Sequence, residues 1–175
     1  MKSVLKFWFQ FLFNLVNIIA QLLPDNYRGN KLRGVLLRLF FRKVGKNLQI
    51  SKSVHFLYPR NISFGDDVFI GFNCWVNGQG GLDIEDEVMF GPFCAVSTSN
   101  HTRAEGQQSF RFGQHELGKV TVRAGAWVAA NVSITAGSEI SKGAIIGAGS
   151  TVVGILEKNN CLYIGSPAKL KKELS

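Results

Sequence analysis

The chain is short of cysteine and histidine and, over its first quarter, of acidic residues. Three cysteines, Cys74, Cys94 and Cys161, are an odd number at unpatterned spacing. That excludes a disulfide scaffold and suits reducing, cytoplasmic surroundings. With only His55, His101 and His115 available, a three-histidine zinc centre would need every histidine in the chain. An unbroken apolar run is missing too. In 4-VLKFWFQFLFNLVNIIAQLL-23 polar residues return too often for a lone membrane span, and no small-residue cleavage site follows, which argues against a cleaved signal peptide. Residues 1–47 hold nine Lys or Arg against one acid, Asp25, so the whole net charge of +8 sits there and residues 48–175 balance. The expectation is a basic segment that meets an anionic surface, joined to a neutral domain.

What is present is a beat. From Val122 aliphatic residues fall every six positions, at Val122, Val128, Ile134, Ile140, Ile146 and Val152. Small or slender residues follow four places after the first five: Ala126, Val132, Ser138, Ala144 and Ser150. The register also holds at Ile84, Phe90 and Val96, at Phe64, Ile70 and Val76, and at Val44, Ile50 and Phe56, with two slips of two residues between these triplets. Neither a helix nor an ordinary strand has a period of six. A triangular β-helix does, because each face contributes one short strand and one corner, and three hexads close a coil. Stacked coils satisfy one another's backbone groups, and each buried aliphatic contributes about 1.5–3 kcal/mol. The fold expected is mainly β: a left-handed parallel β-helix of hexapeptide repeats over 44–158, preceded by α-helices in 1–43 and followed by a tail, 159–175. Cys74 and Cys94 fall on the slender sites and read as small buried residues.

The beat stops after Val96 and resumes at Val122, leaving an inserted loop over 98–119. Loops of such length are functional or disordered. Its Arg103, Glu105, Gln107, Gln108, Arg111, His115 and Glu116, with Phe110 and Phe112, suit a wall against a ligand or a neighbouring subunit. Coil counting puts Val76 under Val96, hence Asn77 under Ser97, so Asn77 and His101 are expected close together at the mouth of the loop. By composition His101 is an ordinary surface-loop histidine; its place at the break marks it as a candidate base.

The motifs 76-VNGQG-80, 99-SNH-101, 127-WVAANV-132, 146-IGAGSTV-152 and 165-GSPAKLKK-172 resemble those of the left-handed β-helix acyltransferases with hexapeptide repeats. That family includes galactoside and maltose O-acetyltransferases and polysaccharide-cluster acetyltransferases. The resemblance covers residues 44–172 and implies direct transfer of acetyl from acetyl-CoA to a hydroxyl. His101 would be the general base and Asn77 would position the hydroxyl. The Ala130 N–H would face the oxyanion. The small corner residues, Ala130 and Ala148 among them, would bed the pantetheine arm, although small residues also simply suit a corner. Lys169 and Lys172 would meet the coenzyme's phosphates. Where relatives often carry Thr-Lys, this chain has Val153-Gly154, which unsettles the contacts there.

The resemblance further implies a homotrimer with sites between neighbouring prisms, no metal, and a cytoplasmic place where acetyl-CoA is found. The acceptor expected is a sugar hydroxyl of a cell-surface polysaccharide or lipid-linked precursor. N-acetylation of a nucleotide-linked amino sugar, a non-catalytic trimeric scaffold and a zinc enzyme on the same prism are the alternatives. Coil counting sets His55 away from the break, which weighs against zinc. Nucleic acid is not expected as a partner, for want of any recognition motif.

In the N-terminus, Lys6, Gln10, Asn14, Asn17 and Gln21 form one narrow polar stripe on an otherwise apolar helix. A second helix is expected in 29–47, its basic residues interleaved with Val35, Leu36, Leu39 and Phe40. Two readings stand: helices lying on the inner face of an anionic membrane, or helices capping the first coil and packing in the trimer.

Overall fold

The hexads become short strands stacked in three parallel sheets, which form the faces of a β-solenoid. The computed structural model describes residues 2–174; Met1 and Ser175 lie outside the described residues, as do the side chains of Lys2, Ser3, Leu5 and Lys6. The first face stacks Lys43–Val44, Ile62–Phe64, Leu82–Ile84, Val120–Val122 and Glu139–Ile140. The second stacks Gln49–Ile50, Phe69–Ile70, Met89–Phe90, Trp127–Val128, Ile145–Ile146 and Cys161–Ile164, and ends with Lys169–Glu173 running antiparallel. On the third are His55–Leu57, Trp75–Asn77, Ala95–Ser97, Ser133–Ile134 and Thr151–Val152. Every hexad residue named above is buried except Val44, which is half-buried against the core. Ladder bonds and this apolar column hold the stack together.

The outward positions of the three faces differ in kind. Lys43, Ser63, Asp83, Thr121 and Glu139 line the first, where Arg42 and Lys119 pair with Asp83, and Arg123 with Glu85 and Glu139. The second presents Phe69, Met89, Trp127, Ile145 and Leu162. The third presents His55, Trp75, Ala95, Ser133 and Thr151. One face is therefore charged and one apolar.

Both slips of the beat fall between the third face and the first, the corner at which the long loop also leaves. The earlier slip holds the 3-10 turn Pro59–Asn61 after Tyr58, whose φ is 54°. In the later one Gly81 N–H donates to Gly78 C=O at 2.9 Å. The Asn61 amide donates to Gln79 C=O at 3.1 Å, tying the two slips together. One corner is thus enlarged in three successive coils.

Two helices cover the first coil: α1, Lys2–Gln21, and α2, Tyr27–Leu37. Asn26 caps α2, accepting from Gly29 N–H at 2.9 Å. Gly34 lets α2 lie on the Leu48 carbonyl, where a Cβ would collide. The expectation of a second helix over 29–47 is corrected: α2 stops at Leu37, a 3-10 turn follows over Arg38–Phe40, and Lys43–Val44 is already the first strand. Competition from the solenoid ends the helix. Arg42 N–H donates to Ile62 C=O at 2.9 Å, and the Phe41 ring packs at 5.1 Å and 4.9 Å on Phe56 and Phe64. Arg33 is wholly buried between the helices, donating to the carbonyls of Ala20, Leu23, Pro24 and Ile50 and to the Asn30 amide. It supplies donors to the carbonyls that end α1.

Candidate active site

The loop after the third face is an antiparallel ribbon rather than irregular chain. Ser99–His101 pairs with His115–Leu117, setting Ser99 opposite Leu117 and His101 opposite His115. The ribbon is pinned at its root by Thr98, which is fully buried. Its hydroxyl donates to Asn77 C=O at 2.8 Å and accepts from Gly80 N–H at 2.8 Å, while its carbonyl accepts from Gly118 N–H at 3.0 Å. Thr98 therefore joins the strand end at Asn77, the enlarged corner and both arms of the ribbon. Further out, Arg103 lies over Phe110 and Arg111 over Phe112, all four exposed.

Asn77 ends its strand directly beneath Ser97, the register that coil counting gives. It is buried, and its amide is committed at both ends. Oδ1 accepts from Gln79 N–H at 3.0 Å, and Nδ2 donates to Ser99 Oγ at 3.2 Å. Ser99 and His101 are two residues apart on one strand and so share a side of it. The Asn77 amide thus reaches the side of the strand that carries His101.

His101 is exposed, and its ring lies against that of His115, with centroids 4.4 Å apart and planes tilted by 47°. The sequence marks His115 as part of the loop's polarity and as one of three histidines a zinc centre would need, but not as the partner of His101. His55 sits beside Trp75 at the far end of the third-face strands, away from the pair. Among the described residues no group of three or more His, Cys, Asp or Glu side chains could hold a metal ion.

Ala130 and Ala148 occupy equivalent places in successive coils, because Val128 pairs with Ile146. Their corner lies between the second and third faces. Ala129 N–H and Asn131 N–H donate to Ile146 and Pro92 carbonyls, whereas among the described residues Ala130 N–H meets no acceptor. Directly above, Gly147 approaches Ile164 too closely for a Cβ, and Lys169 pairs with Ile164. Ala130, Ala148 and Lys169 hence climb one corner in order. Lys172, opposite Leu162, lies three residues along the same exposed strand. Within one chain this corner and the His101–Asn77 corner are separated by the width of the third face, so a single prism does not bring the two groups together.

Cys74 and Cys94 stack in successive coils, buried and free. Donation of its proton toward the neighbouring Cys94, with burial, pushes the Cys74 thiol well above the ordinary thiol range. Thiolate chemistry is not available to it near neutral pH.

No family model and no curated protein sequence matches the chain. Solved structures do. A galactoside acetyltransferase in complex with coenzyme A superposes with a TM-score of 0.82 at 22% identity, over 95% of this chain and 81% of that one. A hexapeptide-repeat-containing acetyltransferase from Vibrio cholerae O1 biovar eltor, complexed with acetyl coenzyme A, gives 0.80 at 21% identity, over 93% and 85%. A maltose O-acetyltransferase from Clostridium difficile 630 gives 0.79 at 25% identity, over 94% and 85%. These neighbours are acetyltransferases with hexapeptide repeats or sugar acceptors in their names, two of them holding the coenzyme. The fold of the present chain is theirs.

Proposed function

We propose that the protein is an acetyl-CoA-dependent O-acetyltransferase acting on a sugar hydroxyl. The observation that carries the reading is the ribbon at the enlarged corner, which sets His101 on the strand that the buried Asn77 amide bonds. His101 takes the hydroxyl proton as the oxygen attacks the thioester carbonyl, and Asn77, whose Nδ2 keeps a second hydrogen beside the one given to Ser99, holds the acceptor in line. The Ala130 N–H, free of a protein acceptor, faces the oxyanion of the tetrahedral intermediate. Collapse of that intermediate expels the coenzyme thiolate, which takes up the proton. The pantetheine arm runs along the corner of Ala130 and Ala148, and Lys169 and Lys172 meet the phosphates.

The two corners lie a face apart, so a complete site needs a neighbouring chain. A homotrimer supplies one, and the apolar ladder of Phe69, Met89, Trp127 and Ile145 suits burial between prisms. The acceptor is a cell-surface polysaccharide precursor or a lipid-linked intermediate, met at the inner face of the membrane, where residues 1–43 make surface contact. Incubation with labelled acetyl-CoA and a panel of glycans and nucleotide-linked amino sugars tests this. Ester-linked acetate on a glycan supports the reading. Amide-linked acetate on the amino sugar replaces it with N-acetylation, and no transfer to any acceptor favours a scaffold.

A further inference from the structure

The N-terminal helix presents its apolar surface to the outside. Phe9, Phe13, Val16 and Ala20 form the docked edge of α1: Phe9 and Phe13 pack on Phe40 with centroids 5.5 Å and 5.4 Å away, and Arg60 lies over the Phe9 ring at 3.8 Å. The polar stripe runs along one flank. There Gln10 bonds Asn14, Gln21 bonds Asn17, and Gln21 also accepts from Ser53 N–H on the first coil. The polar residues that sequence patterning would turn to water are thus partly used against the protein. Opposite the docked edge, Phe7, Trp8, Phe11, Leu12, Ile18 and Leu22 are exposed, Leu22 by 81%. At 100° per residue they cover an arc of about 140°. A face of this kind is not left to water.

The neighbouring surface of α2 and of the 3-10 turn after it mixes greasy and cationic side chains. Leu32, Val35 and Leu39 are exposed, Leu39 by 85%, among Arg28, Lys31 and Arg38. Between α2 and the first coil lies a cavity of about 150 Å³, lined by Lys31, Val35, Arg38, Asn47 and Leu48. Asn47 Oδ1 is buried without a hydrogen-bond partner, while its Nδ2 donates to Asp67 at 2.6 Å. Lys31 and Arg38 at the cavity's rim suit the phosphate of a headgroup. Asp25, the single acid of residues 1–47, is already engaged: it accepts from Lys52 N–H at 3.0 Å and stands 3.6 Å from Arg33.

We infer that α1 and α2 dock on an anionic phospholipid bilayer, with the outward face of α1 at the acyl boundary and a glycerol-phosphate headgroup in the Lys31–Arg38 cavity. This names the lipid partner of the membrane contact in the reading above, and rests on that reading only for its purpose. Charge decides between lipid and a second copy of the chain. A symmetric contact through this surface would set Arg28, Lys31 and Arg38 of two chains against each other with no acid to answer them, whereas phosphatidylglycerol supplies the opposite sign. Among the described residues no helix is long and apolar enough to cross a membrane, so α1 lies on the surface.

Flotation of the full chain with vesicles tests the inference. The protein is expected to float with phosphatidylcholine vesicles containing phosphatidylglycerol, to stay behind with phosphatidylcholine alone, and to be released at high salt. Phe7→Ser/Phe11→Ser/Ile18→Ser is expected to lose binding to the phosphatidylglycerol vesicles although every cation is kept. Lys31→Gln/Arg38→Gln is expected to bind at least tenfold more weakly only where phosphatidylglycerol is present. Free glycerol phosphate is expected not to compete. A wild-type chain that ignores phosphatidylglycerol overturns the inference. So does a triple variant that binds as before but sediments as a smaller oligomer, which would make the face a contact between copies. Acetyl transfer to a soluble acceptor, measured on the same variants, is expected to be unchanged, so loss of docking and failure of the enzymatic reading give different patterns.

Discussion

The imidazole of His101 lies 4.4 Å from that of His115, ring against ring, on directly opposed residues of the ribbon. A general base on an exposed strand has many directions to point, and the His115 ring removes some of them. His115→Ala is expected to lower kcat roughly ten- to a hundredfold with little change in KM for either substrate. His115→Phe, which keeps a ring at that place, is expected to restore most of the loss. Steady-state kinetics on both variants check this; equal damage from Ala and Phe would mean that ring contact is not what matters.

Asn77 acts through both ends of its amide. Asn77→Asp keeps the acceptor for Gln79 N–H but removes the donor to Ser99, and it introduces a buried charge. It is expected to cost roughly tenfold or more in kcat/KM for the sugar while leaving KM for acetyl-CoA unaltered. Initial-rate measurements with each substrate varied in turn decide the point.

A site made of two corners predicts complementation. His101→Ala lacks the base, and Ala148→Trp blocks the coenzyme corner, so each is expected to be inactive alone. After subunit exchange in a one-to-one mixture, about a quarter of the sites in a ring of three would pair an intact His101 with an intact corner. Recovered activity near that level supports a shared site. No recovery, with exchange verified by mass spectrometry, argues that each chain is complete by itself.

Arg33 anchors both helices to the first coil through carbonyls of Ala20, Leu23, Pro24 and Ile50. Arg33→Ala is expected to destabilise the chain by about 3 kcal/mol, because the buried carbonyls lose their donors together. Urea denaturation followed by circular dichroism measures it.

Asp83 gives stability a pH dependence of known sign. Burial raises its carboxyl, but the hydrogen bond from Lys119 and the charges of Arg42 and Lys119 outweigh this and hold it below the ordinary carboxylate value. Its contribution is therefore complete above the unfolded value, near about 4, and is lost as pH falls through the lower folded value. Asp83→Asn is expected to cost no more than about 1 kcal/mol at neutral pH, since the group is partly exposed. The gap from wild type should close in strong acid, as thermal melts across pH would show.

The repeat was legible in the sequence because burial on one side of a six-residue unit leaves a mark at every coil: Val122, Val128, Ile134 and their successors cannot be polar. Register followed from it, and Asn77 duly lies beneath Ser97. The partner of His101 was not legible, because ribbon pairing within an exposed loop imposes no hydrophobic period. His115 looked like any loop histidine. The end of α2 was obscured for the opposite reason. Residues 38–44 carry helical spacing of basic and apolar side chains, and only the pairing of Arg42 and Lys43 with the next coil overrides it. The wide apolar face of α1 was legible from its narrow polar stripe, but the use of that stripe was not, since Gln21 bonds a backbone N–H of the first coil rather than water.

The most direct test of the account is the rate of acetyl transfer from acetyl-CoA to a glycan hydroxyl by wild type and by His101→Ala, with folding of the variant verified by its melt. The account predicts a loss of about 10²–10⁴-fold in kcat, with binding of acetyl-CoA retained. A His101→Ala protein that transfers acetyl at the wild-type rate would contradict it.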